Sequence, residues 1–191
     1  ALMDFSDVMA GRCDLSRAAV PHPTVSGLHL LTAPLTLPGD FPGEAGFQAL
    51  LQQAREAYDY VLIDSPAGLG PGFRLAVCGA DRAIVVAVSD PSSLRDAQRV
   101  VTQLSQLETI HLVVNRVRPR LLRRQNTTID DAMDTAGLPL LGLVPEDPKV
   151  VLAATEGRPL AQLGARRGAV RAYENIARRL TGQPVPLMGL R

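Results

Sequence analysis

Short apolar runs alternate with longer segments of helical period along this chain. The apolar runs that predict strands cover 27–33, 58–64, 82–88, 110–115 and 140–144. The segments that predict helices cover about 44–57, 72–78, 92–107, 128–136, 149–156 and 165–180. Strands that are apolar at nearly every position are typical of a parallel sheet with helices on both faces. The pattern therefore predicts an α/β fold with a mainly parallel sheet.

The run at 58–64 ends in an acid, Asp64, and a turn-forming sequence with Gly68 follows it. Ligands of open parallel sheets gather beyond the carboxyl ends of the strands, and a carboxylate there can hold Mg²⁺ directly or through water. The alternative for Asp64 is an ordinary turn or capping aspartate. A phosphate loop of the form G-x-x-x-x-G-K-[ST] does not occur in the sequence, whose single lysine is Lys149.

Composition excludes several classes of protein. The 191 residues are enough for one well-buried domain, and 20 basic against 19 acidic residues give no general attraction for nucleic acid. The two cysteines are far apart, which fits a reduced cytosolic protein, and the three histidines are scattered rather than spaced as zinc ligands. No apolar run approaches the ~20 residues of a membrane span, and the first residues do not form a signal peptide.

The densest charge on the chain is a run of five arginines within nine residues, at 116, 118, 120, 123 and 124. A solvated loop that leads into a helix is one interpretation, since charge runs usually lie at the surface. The other is a patch that meets a nucleotide, a partner or an anionic surface. The run contains no aromatic residue, which argues against binding of single-stranded nucleic acid.

Three motifs occur in a fixed order along the chain. They are Asp64-Ser65-Pro66-Ala67-Gly68, then Ser92-Ser93-Leu94-Arg95-Asp96-Ala97, and finally Val113-Val114-Asn115-Arg116 together with Gly142-Leu143-Val144-Pro145-Glu146-Asp147. With these motifs the chain resembles the MinD/ParA family of deviant P-loop ATPases, and its division-site branch most closely. The resemblance implies a three-layer P-loop NTPase fold of the SIMIBI type. The first β-α-β unit of that fold, which carries the phosphate loop, is expected to be missing from this sequence.

The resemblance also implies roles for individual residues with ATP and Mg²⁺ as cofactors. Asp64 corresponds to the Walker B aspartate, a catalytic residue that holds Mg²⁺ through water, and Gly68 to a mobile switch glycine. The family's base-binding loops correspond to Asn115, Arg116, Pro145, Glu146 and Asp147. Gly68 and Asn115 are alternatively turn residues, and the two acids are alternatively favourable charges at the start of the helix near Lys149.

The resemblance implies partners as well. Full-length relatives hydrolyse ATP, form homodimers through the nucleotide and bind division-inhibitor and ATPase-activating proteins. They act in the cytoplasm and on the anionic inner face of the cell membrane. Arg95 and Asp96 are the expected partner surface, with plain solvation as the alternative. An ion pair with the residue four positions later does not explain Asp96, because that residue is the uncharged Val100. Binding of nucleic acid is not expected.

We predict one ATPase domain over 1–180, followed by a flexible tail over 181–191 that could begin a membrane anchor. Without a phosphate loop, these 191 residues alone are expected not to hydrolyse ATP. Two other functions stay open at this point. One is a ParA-like chromosome or plasmid partition ATPase, and the other is a non-catalytic interaction module.

Overall fold

The computed structural model describes residues 3–38, 41–125, 128–163 and 167–188. Contacts between residues divide the chain into two compact units, unit 1 (Ala1–Ala80) and unit 2 (Asp81–Arg191). Each unit has a hydrophobic cluster of its own. The single domain over 1–180 stays a prediction.

Four helices form most of unit 1. They are α1 (Phe5–Met9), α2 (Leu15–Ala18), α3 (Gly43–Ala57) and α4 (Pro71–Val77). The apolar stripe of α3, which is Phe47, Leu50, Leu51 and Ala54, is buried because spacings of three and four residues place these side chains on one face. This stripe packs against α1 and α2, so the helix predicted at 44–57 is confirmed within one residue.

The strand predicted at 27–33 forms only in part, and it does not join a parallel sheet. Instead, β1 (Val20–Pro21) and β2 (His29–Leu30) form a short antiparallel hairpin. The turn between them closes on the ring of His22, whose Nδ1 accepts the backbone N–H groups of Thr24 and Val25, both at 3.1 Å. Local turn chemistry therefore fixes this segment as a hairpin.

The strand predicted at 58–64 is wrong for the described structure. The segment has no regular secondary structure, and Tyr60 and Leu62 are 65% and 85% exposed. An isolated strand has no partner for its backbone N–H and C=O groups, so an apolar sequence alone does not make one. None of the strands within the described ranges pairs with this segment.

Unit 2 contains the parallel sheet, in the strand order β3-β4-β5. Its strands are β3 (Arg82–Val88), β4 (Thr109–Val117) and β5 (Leu140–Pro145), and both pairings are parallel. These are the three strands predicted at 82–88, 110–115 and 140–144, so this part of the prediction is confirmed. The centre of β4 is completely buried, with Leu112 and Val114 at 0% exposure.

Helices cover both faces of this sheet. They are α5 (Pro91–Thr102), α6 (Pro119–Gln125), α7 (Ile129–Ala136), α8 (Pro148–Thr155) and α9 (Ala169–Leu180), with a short 3₁₀ helix at Leu160–Leu163. Val113 packs beneath α9, and its neighbours Leu112 and Val114 point to the opposite face, where α5 and α7 contact β3 and β4. The layered α/β architecture of the prediction is thus confirmed in unit 2.

The helix boundaries differ from the sequence prediction at three places. Helix α5 ends at Thr102 rather than near 107, and α6 begins at Pro119 within the arginine run, where a solvated loop that leads into a helix was one interpretation. The predicted start of the last helix at 165 lies outside the described residues, and its described part begins at Ala169. No described helix is long and apolar enough to cross a membrane.

The described part of the tail is bound to unit 2. The Arg179 guanidinium donates to the carbonyl oxygens of Leu141, Val185 and Pro186 at 2.7, 2.9 and 2.6 Å. Met188 packs against the cluster beneath α9. Residues 183–188 therefore have no helical structure, and Val185, Pro186 and Met188 contact the rest of unit 2. The flexible tail over 181–191 stays a prediction.

Candidate nucleotide site at the sheet edge

A bulge at the end of β4 places Asn115 and Arg116. Between Val114 and Val117 the strand has one residue more than β5 has between Leu143 and Pro145. Arg116 adopts a left-handed backbone with φ 51°, and its N–H donates to Oδ1 of Asn115 at 2.9 Å. Because that oxygen is engaged, the NH₂ group of Asn115 remains as the donor for a ligand.

Glu146 joins the ends of β4 and β5 through its backbone and its side chain. Its N–H donates to the Val117 carbonyl at 3.0 Å. Its carboxylate accepts two hydrogen bonds from the Arg118 guanidinium, of which the Nη2 contact is 2.6 Å, and one from Arg116 at 3.3 Å. The hydrogen bonds from Arg118, with the added charge of Arg116, hold the pKa of Glu146 below its ordinary value.

Asp147 connects the first turns of two helices. Its Oδ1 accepts the N–H of Lys149 at 3.0 Å and so caps α8, while its Oδ2 accepts the N–H of Ala169 at 3.1 Å at the start of α9. Gly168, with φ 61°, lies so close that a Cβ at this position would overlap the Asp147 carboxylate. Asp147 thus lies at the start of this helix, as its alternative interpretation expected, and its side chain is engaged in the protein.

The predicted partner surface lies on the exposed side of α5. Asp90 caps this helix through the N–H groups of Ser92 and Ser93, both at 3.0 Å. The hydrogen bond from the Ser92 hydroxyl, together with that from the Ser93 N–H, holds the pKa of Asp90 below its ordinary value. Arg95 and Asp96 are both exposed. Asp96 has an intrahelical partner after all, since Arg99 Nη1 lies 3.4 Å from its Oδ1, three residues along rather than four.

The two remaining predicted site residues, Asp64 and Gly68, belong to unit 1. Asp64 is exposed and lies in a segment without regular structure. Gly68 has φ 84°, a left-handed conformation that favours glycine at a turn.

The structure therefore brings five of the predicted residues together at the carboxyl edge of the unit 2 sheet, namely Asn115, Arg116, Pro145, Glu146 and Asp147. This edge is where parallel sheets bind ligands. The NH₂ group of Asn115 suits the acceptor atoms of a base. The carboxylate of Asp64 is a hard oxygen ligand of the kind that suits Mg²⁺, which keeps several waters and binds substrate phosphates, and its role at a metal stays a prediction. Within the described ranges, no group of three His, Cys, Asp or Glu side chains could hold a metal ion.

Sequence reasoning missed two features of this edge. The first is Arg118 as the main partner of Glu146, 28 residues away along the chain. The second is the contact of Asp147 with the start of α9, 22 residues later. The arginine run and the pair of acids were both visible in the sequence. No spacing rule connects Arg118 with Glu146, which meet through the parallel pairing of β4 and β5, or Asp147 with the start of α9, which depends on how that helix packs.

Comparison with solved structures identifies the class of protein. A structure of the MinC:MinD cell division protein complex from Aquifex aeolicus matches with a TM-score of 0.87 and 32% identity, over 98% of this chain and 76% of that chain. MinD complexed with Mg-ADP from Pyrococcus horikoshii matches at 24% identity with a TM-score of 0.77, over 94% of this chain and 74% of that one, a likeness of fold alone. The α/β fold with its parallel sheet is that of the P-loop NTPases of the MinD and ParA type.

Comparison with sequences narrows this class. The septum site-determining protein MinD of Bacillus subtilis is 38% identical over 194 residues, which cover 99% of this chain and 72% of that protein. The chain belongs to the family of septum site-determining MinD proteins. No protein-family model matches the sequence.

Proposed function

We propose that this chain supplies the base-binding edge and the switch segment of an ATPase that binds Mg-ATP and places the division site. One observation carries the proposal. In a member of the MinD family, Asn115 and Arg116 of β4 lie beside Pro145 at the end of β5 and the two residues that follow it, Glu146 and Asp147, at the ligand-binding edge of a parallel sheet.

The residues divide into two functional groups. At the sheet edge, Asn115 donates to the base, and the Glu146 ion pairs with Arg116 and Arg118 fix the two loops on either side of it. In the switch segment, Asp64 orients the water shell of Mg²⁺. When bound, the metal neutralises charge on the phosphates during phosphoryl transfer to water. Gly68 offers its backbone N–H from a conformation that other residues rarely adopt.

These 191 residues by themselves are proposed to lack ATPase activity. The sequence has no glycine-rich loop followed by lysine, and its one lysine, Lys149, lies in the first turn of α8. Without a row of backbone N–H groups and a lysine around the phosphates, Mg²⁺ alone does not stabilise the charge that develops in the transition state enough for turnover.

The proposed partner is a division-inhibitor protein, and the exposed face of α5 is its proposed binding surface. The matching Aquifex structure is a MinC:MinD complex, which supports a division inhibitor as a partner. We place that contact on the surface that contains Arg95 and Asp96, both of which are exposed. Nucleotide-dependent homodimerisation, stimulation by an activating protein and peripheral binding to the inner, anionic membrane surface complete the proposed cycle.

Photolabelling tests the base site without requiring tight binding of phosphate. The chain is irradiated with 8-azidoadenosine triphosphate and Mg²⁺, and labelled peptides are mapped by mass spectrometry. We expect labels within 109–125 and 140–158, with competition by adenosine and little by guanosine. Asn115→Ala should reduce labelling several-fold because the donor to the base is lost.

The matched control is Gln98→Ala, which removes an exposed amide from α5 and should leave labelling unchanged. Labels confined to other peptides, or equal competition by guanosine, would contradict the base site. ATP turnover is measured in the same samples and should equal that of buffer for both the unmodified chain and Asp64→Asn. Turnover that Asp64→Asn abolishes would contradict the proposed inactivity.

A further inference from the structure

Helix α6 carries a basic surface beside the nucleotide edge. We define the α6 arginine surface as Arg118, Arg120 and Arg124 with the exposed Leu121. These residues line an open cavity of about 710 Å³, whose wall is completed by Val117, Pro119 and Glu146. The buried side chain of Leu122 anchors α6 and leaves the opposite side of the helix to solvent.

The charges on this surface are unbalanced. The single carboxylate, Glu146, is already engaged by Arg116 and Arg118. Both Arg120 and Arg124 are exposed, and neither guanidinium forms an ion pair with another residue that the structure describes. Spaced four residues apart on one helix, they project on the same side. Two planar guanidinium groups thus remain available for carboxylates or phosphates.

The surface also has an apolar component. Leu121, 41% exposed, lies between the two free arginines in sequence, and Val117 and Pro119 extend the apolar wall of the cavity. A ligand that carries only charge would leave this wall in contact with water. A ligand with an apolar group beside its anionic groups would bury it and gain the corresponding hydrophobic free energy.

These features distinguish among three anionic occupants. A duplex of DNA presents a convex row of phosphates without apolar groups between them, and a bilayer surface is flat. A concave, partly apolar cavity fits neither of them as well as it fits a peptide. We propose that the α6 arginine surface binds an acidic segment of a partner protein, with its carboxylates on Arg120 and Arg124 and an apolar side chain against Leu121.

The proposal concerns a surface other than the exposed face of α5, and it does not depend on binding of a nucleotide. The partner contact assigned to Arg95 and Asp96 lies on α5, whereas this surface lies on α6 and at the end of β4. A failure of nucleotide labelling would therefore leave this proposal intact, and the reverse also holds.

Fluorescence anisotropy tests the proposal on the whole chain. The probe is a labelled twelve-residue peptide built of Glu-Leu-Glu units, compared with a Gln-Leu-Gln peptide of equal length. We expect binding of the acidic peptide only, weakened by added salt because exposed charges are screened. The double variant Arg120→Gln/Arg124→Gln should weaken binding by at least about tenfold, since two charge-assisted contacts are lost.

The control variant Arg171→Gln/Arg178→Gln removes two exposed arginines from α9 and changes the net charge by the same amount. It should bind the acidic peptide as the unmodified chain does. Leu121→Ser should weaken binding of the Glu-Leu-Glu peptide about threefold or more and leave a Glu-Ser-Glu peptide unaffected. Thermal unfolding of each variant verifies that it folds.

Three results would overturn the proposal. The first is an equal loss of binding in the α9 control variant, which would indicate general charge attraction. The second is tighter binding of a 20-base-pair DNA duplex than of the peptide. The third is tighter binding of vesicles that contain phosphatidylserine, which would make the membrane the occupant.

Discussion

Asp147 shows how much of unit 2 depends on one side chain. Its carboxylate caps α8 through Lys149 and at the same time accepts the N–H of Ala169 at the start of α9. Gly168 gives the chain the room and the left-handed φ of 61° that this double contact requires. The residue that the family resemblance assigns to base binding therefore also connects the first turns of α8 and α9.

The contact between Asp147 and Gly168 predicts a coupling between two substitutions. Asp147→Ala should lower the free energy of unfolding by about 1–2 kcal/mol through loss of the cap. Gly168→Ala should lower it by about 1–3 kcal/mol, because its Cβ strains the backbone and overlaps the carboxylate. In the double variant the overlap is relieved, so the combined loss should be smaller than the sum. Urea unfolding of the four proteins measures this coupling.

Gly157→Ala is the matched control. Gly157 has the same φ of 61°, but a Cβ there would meet no atom within 4 Å. Its substitution should cost only the backbone strain and show no coupling to Asp147→Ala. Simple additivity of Asp147→Ala and Gly168→Ala would contradict the proposed contact.

Local and distant contacts of the same residue differ in how far the sequence predicts them. An acid directly before Pro148 and Lys149 is a recognisable helix start, and a position of Asp147 at the start of this helix could be stated from the sequence. The contact with Ala169 depends on where α9 lies after β5 and α8 are packed. Similarly, the pairing of Glu146 with Arg118 requires the parallel register of β4 and β5, which no local pattern determines.

At the scale of elements, α7 is specified at both ends by its own sequence. Thr128 Oγ1 accepts the N–H of Asp131 at 3.1 Å, and Asp131 Oδ2 accepts the N–H of Thr128 at 2.6 Å. Gly137 ends the helix in the left-handed conformation with φ 67°. The helix predicted at 128–136 accordingly agrees with the observed one.

This capping box predicts a measurable loss of stability. Thr128→Ala should lower the free energy of unfolding by about 1 kcal/mol, because the N–H of Asp131 loses its acceptor. Thr155→Ala is the control, since the Thr155 hydroxyl only donates back to the Val151 carbonyl within α8. It should change stability by no more than about 0.5 kcal/mol. Equal effects of the two substitutions in urea unfolding would exclude a special contribution from the cap.

Strands depend on their neighbours more than helices do. The strand predicted at 82–88 coincides with β3 because β4 pairs with it along its whole length. The segment 58–64 has an equally apolar sequence, but no described strand pairs with it, and it remains irregular. Helix α6 was underestimated because its charged residues obscure the buried position, Leu122, in its middle.

At the scale of the whole molecule, stability at low pH depends on a set of exposed or half-buried carboxylates that accept hydrogen bonds in the folded chain. Their pKa values are all lowered, for Asp7 and Asp131 mainly by backbone N–H groups, for Asp90 mainly by Ser92 and for Glu146 mainly by Arg118. Each group stabilises the fold while ionised. That contribution is complete above the unfolded pKa of about 4 and is lost as the pH falls through the lower, folded value.

The melting temperature should therefore be nearly constant from pH 7 to 5 and fall progressively between about pH 4 and 2. Glu146→Gln should lower the melting temperature at pH 7, and the difference from the unmodified chain should shrink as the pH falls through the folded pKa of Glu146. Differential scanning calorimetry at unit steps of pH measures both effects. A difference that grows on acidification would show that the ion pairs with Arg116 and Arg118 do not stabilise the fold.

The irregular segment around Tyr60 and Leu62 has a consequence for handling the molecule in solution. These side chains are 65% and 85% exposed, and Val61 between them is 39% exposed. Tyr60, Val61, Leu62 and Ile63 form an apolar run between Asp59 and Asp64. Apolar runs with high strand propensity associate with copies of themselves once their backbone is accessible. Self-association of this chain should therefore increase steeply with concentration, with light scattering rising before any loss of helical circular dichroism, and a lysine in place of Leu62 should delay its onset.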